Sequence, residues 1–180
     1  LEYADPASGL IPRNLYGDID IWNAKDAAAD NYPFMVLTSF FTDQPLFQGK
    51  MREMLDAEMR LTSRVQSLPD TYSFSKQGFQ KDEVFMPDVL FGATEYIKDG
   101  LLPLAEWLGR SAWFDRMMQM LRDMDELVDV ADGFESGQFG NAPVAEVNGE
   151  LLQILSRVYW MTGEKQWLDW AVQIGDYFLL

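Results

Sequence analysis

The chain contains no cysteine and no histidine among its 180 residues. Without cysteine it has neither disulfides nor thiolate metal sites. Without histidine it lacks the usual general base near neutral pH, the Ser-His and Cys-His dyads and imidazole metal ligands. The acidic stretch that begins at Asp123 also lacks the alternating ligand order of a calcium loop. Any catalysis therefore depends on carboxylates, tyrosine, lysine or arginine, and we expect no cofactor and no metal ion.

Basic residues are scarce, since 14 lysines and arginines stand against 29 acidic residues and the formal net charge is -15. Such a charge repels phosphate backbones and anionic lipid surfaces, so we expect no nucleic acid partner. No apolar run reaches the roughly 18 residues of a membrane span. Residues 1–9 lack the basic and apolar regions of a signal peptide. These patterns predict a soluble chain with no membrane partner.

Three pairs of helices are predicted, each an apolar helix followed by an amphipathic one. Apolar residues make up 48% of the chain, which is enough for the core of one domain over residues 1–180. The first apolar run covers residues 34–41 and follows Pro33, with Asp30 or Asn31 available as the N-cap. An amphipathic pattern then begins after Asp43 and predicts an outer helix.

The second pair begins with an apolar stretch over residues 89–108. Gly100 and Pro103 interrupt it, so we expect a kink or a break there. Ser111 is the expected N-cap of the amphipathic helix that follows, over residues 111–130. Again an apolar helix precedes an amphipathic one.

The third pair covers residues 150–161 and 165–180, with a stop at Gly163 between them. Residues 67–78 alternate aromatic and polar side chains and predict a short strand or hairpin. The predicted fold class is therefore all-α, built from about three helical hairpins, with short irregular or β-like excursions in the long loops.

The third pair also resembles a known family. Residues 147–159 (VNGELLQILSRVY) and 162–168 (TGEKQWL) are similar to the inner helix, turn and outer helix of the six-hairpin glycosidase superfamily. Residues 5–12 (DPASGLIP) resemble the DPxTGLIP stretches of such enzymes. The superfamily includes unsaturated glucuronyl hydrolases, other glycoside hydrolases and N-acylglucosamine 2-epimerases, although epimerases that use histidine find none in this chain.

The resemblance implies an α/α toroid, a ring of alternating inner and outer helices that binds sugars at one end. A full ring needs six hairpins, and this chain supplies three. It is therefore either a fragment of a longer enzyme or a partial ring that another chain completes. Half a ring predicts partly uncovered inner helices at Phe34, Leu37, Leu155 and Tyr159. An apolar surface of this kind predicts self-association or contact with the remainder of a larger chain.

In a toroid, the loops that enter the inner helices meet on one face, and here they combine carboxylates with aromatic residues. Sugar hydrolysis needs one protonated and one ionised carboxylate, and aromatic rings stack on sugars. The candidate catalytic residues are Asp30, Glu146, Glu83 and Asp88. The candidate substrate-binding residues are Trp22, Asn23, Asp26, Tyr32, Phe85 and Asn148. Glu135 and Glu150 belong to the same loops.

Each of these carboxylates has a structural alternative. Asp30, Asp88 and Glu150 stand at predicted helix starts, where a carboxylate caps free N–H groups and complements the helix dipole. Glu83 and Glu146 are predicted in loops, where acidic residues are most often only solvated. The predicted function is a carbohydrate-processing, glycoside hydrolase-like enzyme that uses carboxylate acid/base chemistry on a carbohydrate substrate. The alternative is a non-catalytic helical-repeat module that binds protein or glycan.

Overall fold

The computed structural model describes residues 1–17, 19–131 and 144–179. Glu135 lies outside these described residues. Within them the chain is mainly helical, which confirms the predicted class. None of the described helices is both long enough and apolar enough to cross a membrane.

The helices follow one another along the chain in the predicted order. In the first pair, α1 (Tyr32–Thr42) leads through the short α2 (Gln44–Gln48) to α3 (Lys50–Thr62). In the second pair, α4 (Met86–Glu95), a π-helical segment (Tyr96–Leu101) and α5 (Leu102–Leu108) precede α6 (Ala112–Ala131). In the third pair, α7 (Val144–Thr162) is followed by α8 (Lys165–Leu179). The third apolar helix thus begins six residues before the predicted start at Glu150, so Glu146 is helical.

Short strands occupy the long loop between α3 and α4, as predicted. β2 (Ser63–Val65) pairs antiparallel with β3 (Leu68–Pro69). β4 (Tyr72–Ser73) lies between β5 (Gly78–Phe79) and β1 (Ile21–Trp22), and both neighbours are antiparallel to it. This small sheet attaches the N-terminal segment to the body of helices.

The π-helical segment lies where the interruption was predicted. Gly100 is inside it, and Pro103 sits in the first turn of α5, where a missing N–H costs little. A Cβ on Gly100 would lie 2.7 Å from Cδ2 of Tyr96, so the close packing of this turn requires glycine. The helix changes its winding here instead of ending, and continues directly into α5.

One apolar core joins the helices, and three tryptophans, Trp22, Trp113 and Trp167, are fully buried in it. A buried ion pair joins α3 to α6 inside this core. Nη2 and Nε of Arg116 donate to the two carboxylate oxygens of Glu58 at 2.6 and 3.1 Å. This bidentate geometry satisfies two charges that would otherwise be costly to bury.

Exposure of the apolar helices differs from the half-ring expectation at one residue. Phe34 is 74% exposed and Tyr159 37% exposed, in line with uncovered inner helices. Leu155 is fully buried, which corrects the prediction for that residue, because α7 packs against both α8 and α4. Uncovered apolar surface therefore lies on α1 and also on α7, where Trp160 is 84% exposed.

Candidate functional site

Three glutamates meet where the end of α4 approaches the first two turns of α7. Glu95 is the last residue of α4, and Glu146 and Glu150 are four residues apart on one face of α7. One carboxylate oxygen from each lies within 4.8 Å of the other two. Glu146 is exposed, whereas Glu150 is only 7% exposed. We call these three residues the glutamate cluster.

Lys98, in the π-helical segment, supplies the positive charge of this cluster. Its Nζ lies 2.8 Å from Oε1 of Glu150 and 3.1 Å from Oε1 of Glu95. It also lies 3.3 Å from Oδ2 of Asp99. Burial opposes the charged amine, but the hydrogen bonds to Glu150 and Glu95 outweigh it and raise the pKa of Lys98. Oxygen donors of this kind suit a hard metal ion, but here a lysine already occupies the cationic position.

The environment separates the acidities of Glu150 and Glu95. Burial, followed by the hydrogen bond with Glu95, raises the pKa of Glu150 to about 8. For Glu95 burial also favours the neutral form, but hydrogen bonds from Glu150 and Lys98 outweigh it and lower the pKa. Oε2 of Glu150 is buried and has no hydrogen-bond partner among the described residues, so nothing stabilises a negative charge on it. At neutral pH Glu150 therefore keeps its proton while Glu95 is ionised.

Asp26 and Asp30 lie close to this cluster. A π-helical turn (Ala24–Ala28) follows Asn23, whose Oδ1 accepts from the N–H of Asp26 at 3.0 Å. Asn23 Nδ2 also donates to Oδ2 of Asp26 at 2.6 Å. Asp30 follows this turn and is exposed, and burial together with the charges of Asp26, Asp99 and Glu95 raises its pKa. The N-cap position of α1 belongs to Asn31, so Asp30 is free of the capping role.

A second group of predicted residues lines a separate cavity of about 180 Å³. Asn23, Phe85 and Asp88 meet there with three basic residues, Arg13, Lys25 and Lys81. Asp88 does not cap α4 through its side chain, because its Oδ2 accepts from Nζ of Lys81 at 3.1 Å. Asp88 is thus an ion-paired surface residue, separate from the glutamate cluster.

The remaining predicted residues lie elsewhere. Trp22 is fully buried and donates from Nε1 to Oη of Tyr32 at 3.0 Å, so both side chains belong to the core and not to a surface that a ligand reaches. Asn148 is buried on α7, and its side chain has no hydrogen-bond partner within the described part of the chain. Glu83 is exposed in the loop before α4 and is not among the residues that line the 180 Å³ cavity.

Sequence reasoning did not select Glu95 or Lys98, and it treated Glu150 as a helix cap. The spacing of Glu146 and Glu150 was a usable signal, because residues four apart share a helix face. Nothing in the sequence indicated that Glu95, 55 residues before Glu150, would meet them. The predicted catalytic residues Glu146 and Asp30 do lie in or beside the cluster.

Comparison with known protein families, with curated proteins and with solved structures gives no match to this chain. Interpretation of the site therefore depends on the chemistry of its own side chains. Two features define that chemistry: a protonated and an ionised carboxylate in contact, and a third carboxylate open to solvent.

Proposed function

We propose that this chain is a carbohydrate-processing, glycoside hydrolase-like enzyme, or part of one, that works by carboxylate acid/base chemistry. One observation carries the proposal: Glu150 and Glu95 are in contact and have pKa values shifted in opposite directions. Glycoside hydrolysis needs a carboxylic acid that is protonated at working pH and a second carboxylate that is ionised. The pair meets that requirement without histidine, cysteine or a metal ion.

The roles follow from burial and charge. Glu150, protonated near neutral pH, is the proton donor to the leaving-group oxygen. Lys98 donates to Oε1 of Glu150 and to Oε1 of Glu95 and so orients both carboxyl groups, while Glu95 raises the pKa of Glu150. Glu146 is exposed on the same helix face and is the carboxylate nearest to a sugar that arrives from solvent. It therefore takes the role of nucleophile or electrostatic stabiliser.

The spacing of the carboxylates bears on stereochemistry. One carboxylate oxygen of Glu146 and one of Glu150 lie within 4.8 Å of each other. Retaining enzymes place the two carboxyl groups about 5 to 5.5 Å apart, whereas inverting enzymes separate them by about 6.5 to 9.5 Å to admit a water molecule. The shorter spacing favours retention, and proton NMR of the first-formed product would detect the retained anomer.

The toroid belongs to the same proposal. Three helical hairpins correspond to half of the ring that the resemblance implies, and the exposed apolar residues Trp160, Leu168 and Val172 of the third hairpin suit an edge that further hairpins would cover. In such an arrangement Asp30 and the glutamate cluster would lie on the inner side of the ring, near the entrances to α1 and α7.

The test is hydrolysis of a panel of aryl glycosides by the protein and its variants. Glu150→Gln is expected to lower kcat/KM at least about a hundredfold, the usual effect of losing a general acid. The loss should be larger for a substrate with a poor leaving group, because that oxygen needs the proton most. Glu146→Gln should reduce turnover of both substrates, because the carboxylate of Glu146 would bond to the anomeric carbon in the same step in which either leaving group departs.

Asp56→Asn is the matched control, because Asp56 is an exposed carboxylate on α3 and is not part of the glutamate cluster. Full activity in both Glu150→Gln and Glu146→Gln would contradict the assignment. If the parent protein turned over none of the panel but bound a glycan or a protein, the alternative of a non-catalytic helical-repeat module would replace it. The exposed aromatic residues Phe34, Phe41, Trp107 and Trp160 are the surface that such a module would use.

A further inference from the structure

A groove of about 510 Å³ lies between α1 and the start of α5. Its walls are mostly apolar and its volume is in the range of small-molecule sites. The apolar residues of the groove are Ala29, Pro33, Phe34, Leu37, Phe41 and Pro103. Phe34 and Phe41 are 74% and 64% exposed, so their rings are open to a ligand.

Two carboxylates, Asp30 and Asp99, belong to the same groove. Within the described residues, the carboxylate of Asp30 has neither a hydrogen bond nor an ion pair. Asp99 has Nζ of Lys98 at 3.3 Å, but that amine is already bonded to Glu95 and Glu150. The groove therefore has a negative charge that the neighbouring Lys98 only partly neutralises.

Other negative charges near the groove add to this negative charge. The charges of Asp26, Asp99 and Glu95 act on Asp30 from neighbouring elements, and with burial they raise its pKa. The net charge of -15 adds a long-range field of the same sign. A cation at this position would relieve the repulsion, and an anion would increase it.

We propose that this groove binds a small organic ammonium ion, with its apolar body against Phe34, Leu37 and Phe41 and its ammonium group beside Asp30 and Asp99. Charge complementarity selects this occupant over a second copy of the chain, because two acidic copies repel each other at this surface. The phenylalanine rings add cation–π attraction to the contact of apolar surfaces. The proposal does not depend on hydrolase activity, and measurements of binding alone can test it.

The test uses three probes of one shape and different charge: 4-phenylbutylamine, 4-phenylbutan-1-ol and 4-phenylbutyrate. Isothermal titration calorimetry at low ionic strength is expected to show the amine binding at least about tenfold more tightly than the alcohol, with the carboxylate weakest. Asp30→Asn and Asp99→Asn should each reduce the preference for the amine. Phe34→Ala should weaken the amine and the alcohol by similar factors, because it removes apolar contact and leaves the carboxylates.

Asp56→Asn is the control, since it lowers the net negative charge equally but lies outside the groove. Equal affinities for amine and alcohol would overturn the proposal. So would an amine preference that both groove variants keep, or that Asp56→Asn reduces as much as they do. The protein could also prove to be a dimer that Phe34→Ala dissociates and the amine does not. In that case a second copy would occupy the groove and the proposal would fail.

Discussion

Raising the pH from 5 to 7 is expected to destabilise the folded protein through Glu150. The pKa of Glu150 is raised from 4.5 to about 8, so across this range the folded state keeps a proton that the unfolded state releases. Stability falls with pH wherever the folded state binds more protons. The lowered pKa of Glu95 acts below pH 4.5, outside this range. Lys98 is charged in both states throughout it, because its pKa is raised.

The magnitude follows from the proton count. One extra proton in the folded state lowers the free energy of unfolding by at most about 1.4 kcal/mol per pH unit, or about 2.7 kcal/mol over two units. We expect about 1 to 2.5 kcal/mol, because unfolded Glu150 is still partly protonated at pH 5. Glutamine is uncharged and keeps a donor toward Glu95. Glu150→Gln should therefore remove most of this pH dependence and leave stability at pH 5 nearly unchanged.

Urea unfolding at pH 5, 6 and 7 measures the effect for the parent protein and the variant. The pKa of Asp30 is also raised, so Asp30→Asn should change the pH dependence in the same direction. Asp56→Asn serves as the control for a general change in net charge. A parent protein whose stability is flat or rises between pH 5 and 7, or a Glu150→Gln variant that keeps the full slope, would refute the reasoning.

Two further predictions concern packing and are measured by thermal or urea unfolding. Gly100→Ala is expected to destabilise by about 1 to 3 kcal/mol, because the new Cβ would lie 2.7 Å from the ring of Tyr96. Gly149→Ala, in a helix with no atom within 4 Å of the new Cβ, should instead stabilise by up to about 1 kcal/mol. If Gly100→Ala stabilised the protein as Gly149→Ala is expected to do, the close approach at Gly100 would be wrong. Glu58→Leu should lower the free energy of unfolding by about 3 to 5 kcal/mol, because it leaves the charge of Arg116 buried and unpaired. Adding Arg116→Met to this variant should recover much of that loss. A double variant as unstable as the single one would contradict this account.

The positions of the helices could be predicted from sequence because they depend on residues that are close together along the chain. Apolar residues at three- and four-residue spacing define one face of a helix, and this periodicity placed α6 and α8 within a residue or two, whereas an unbroken apolar run after Pro33 placed α1. End signals are local as well. Oγ of Ser111 accepts from the N–H of Phe114 at 3.3 Å, and Gly163 has φ of +70° just after α7 ends.

The candidate site could not be predicted in this way, because its chemistry arises between segments that are distant in sequence. Glu95 and Lys98 meet Glu150 only after α4 and α7 pack together, and a pKa depends on that burial and contact. The same limit explains Trp22. It was predicted to bind a ligand, but in the folded protein it is fully buried and donates to Tyr32. The sequence determined where helices begin, end and expose polar faces. Tertiary structure decided which carboxylates share a proton and which aromatic rings remain open to a ligand, because both depend on distances across the fold.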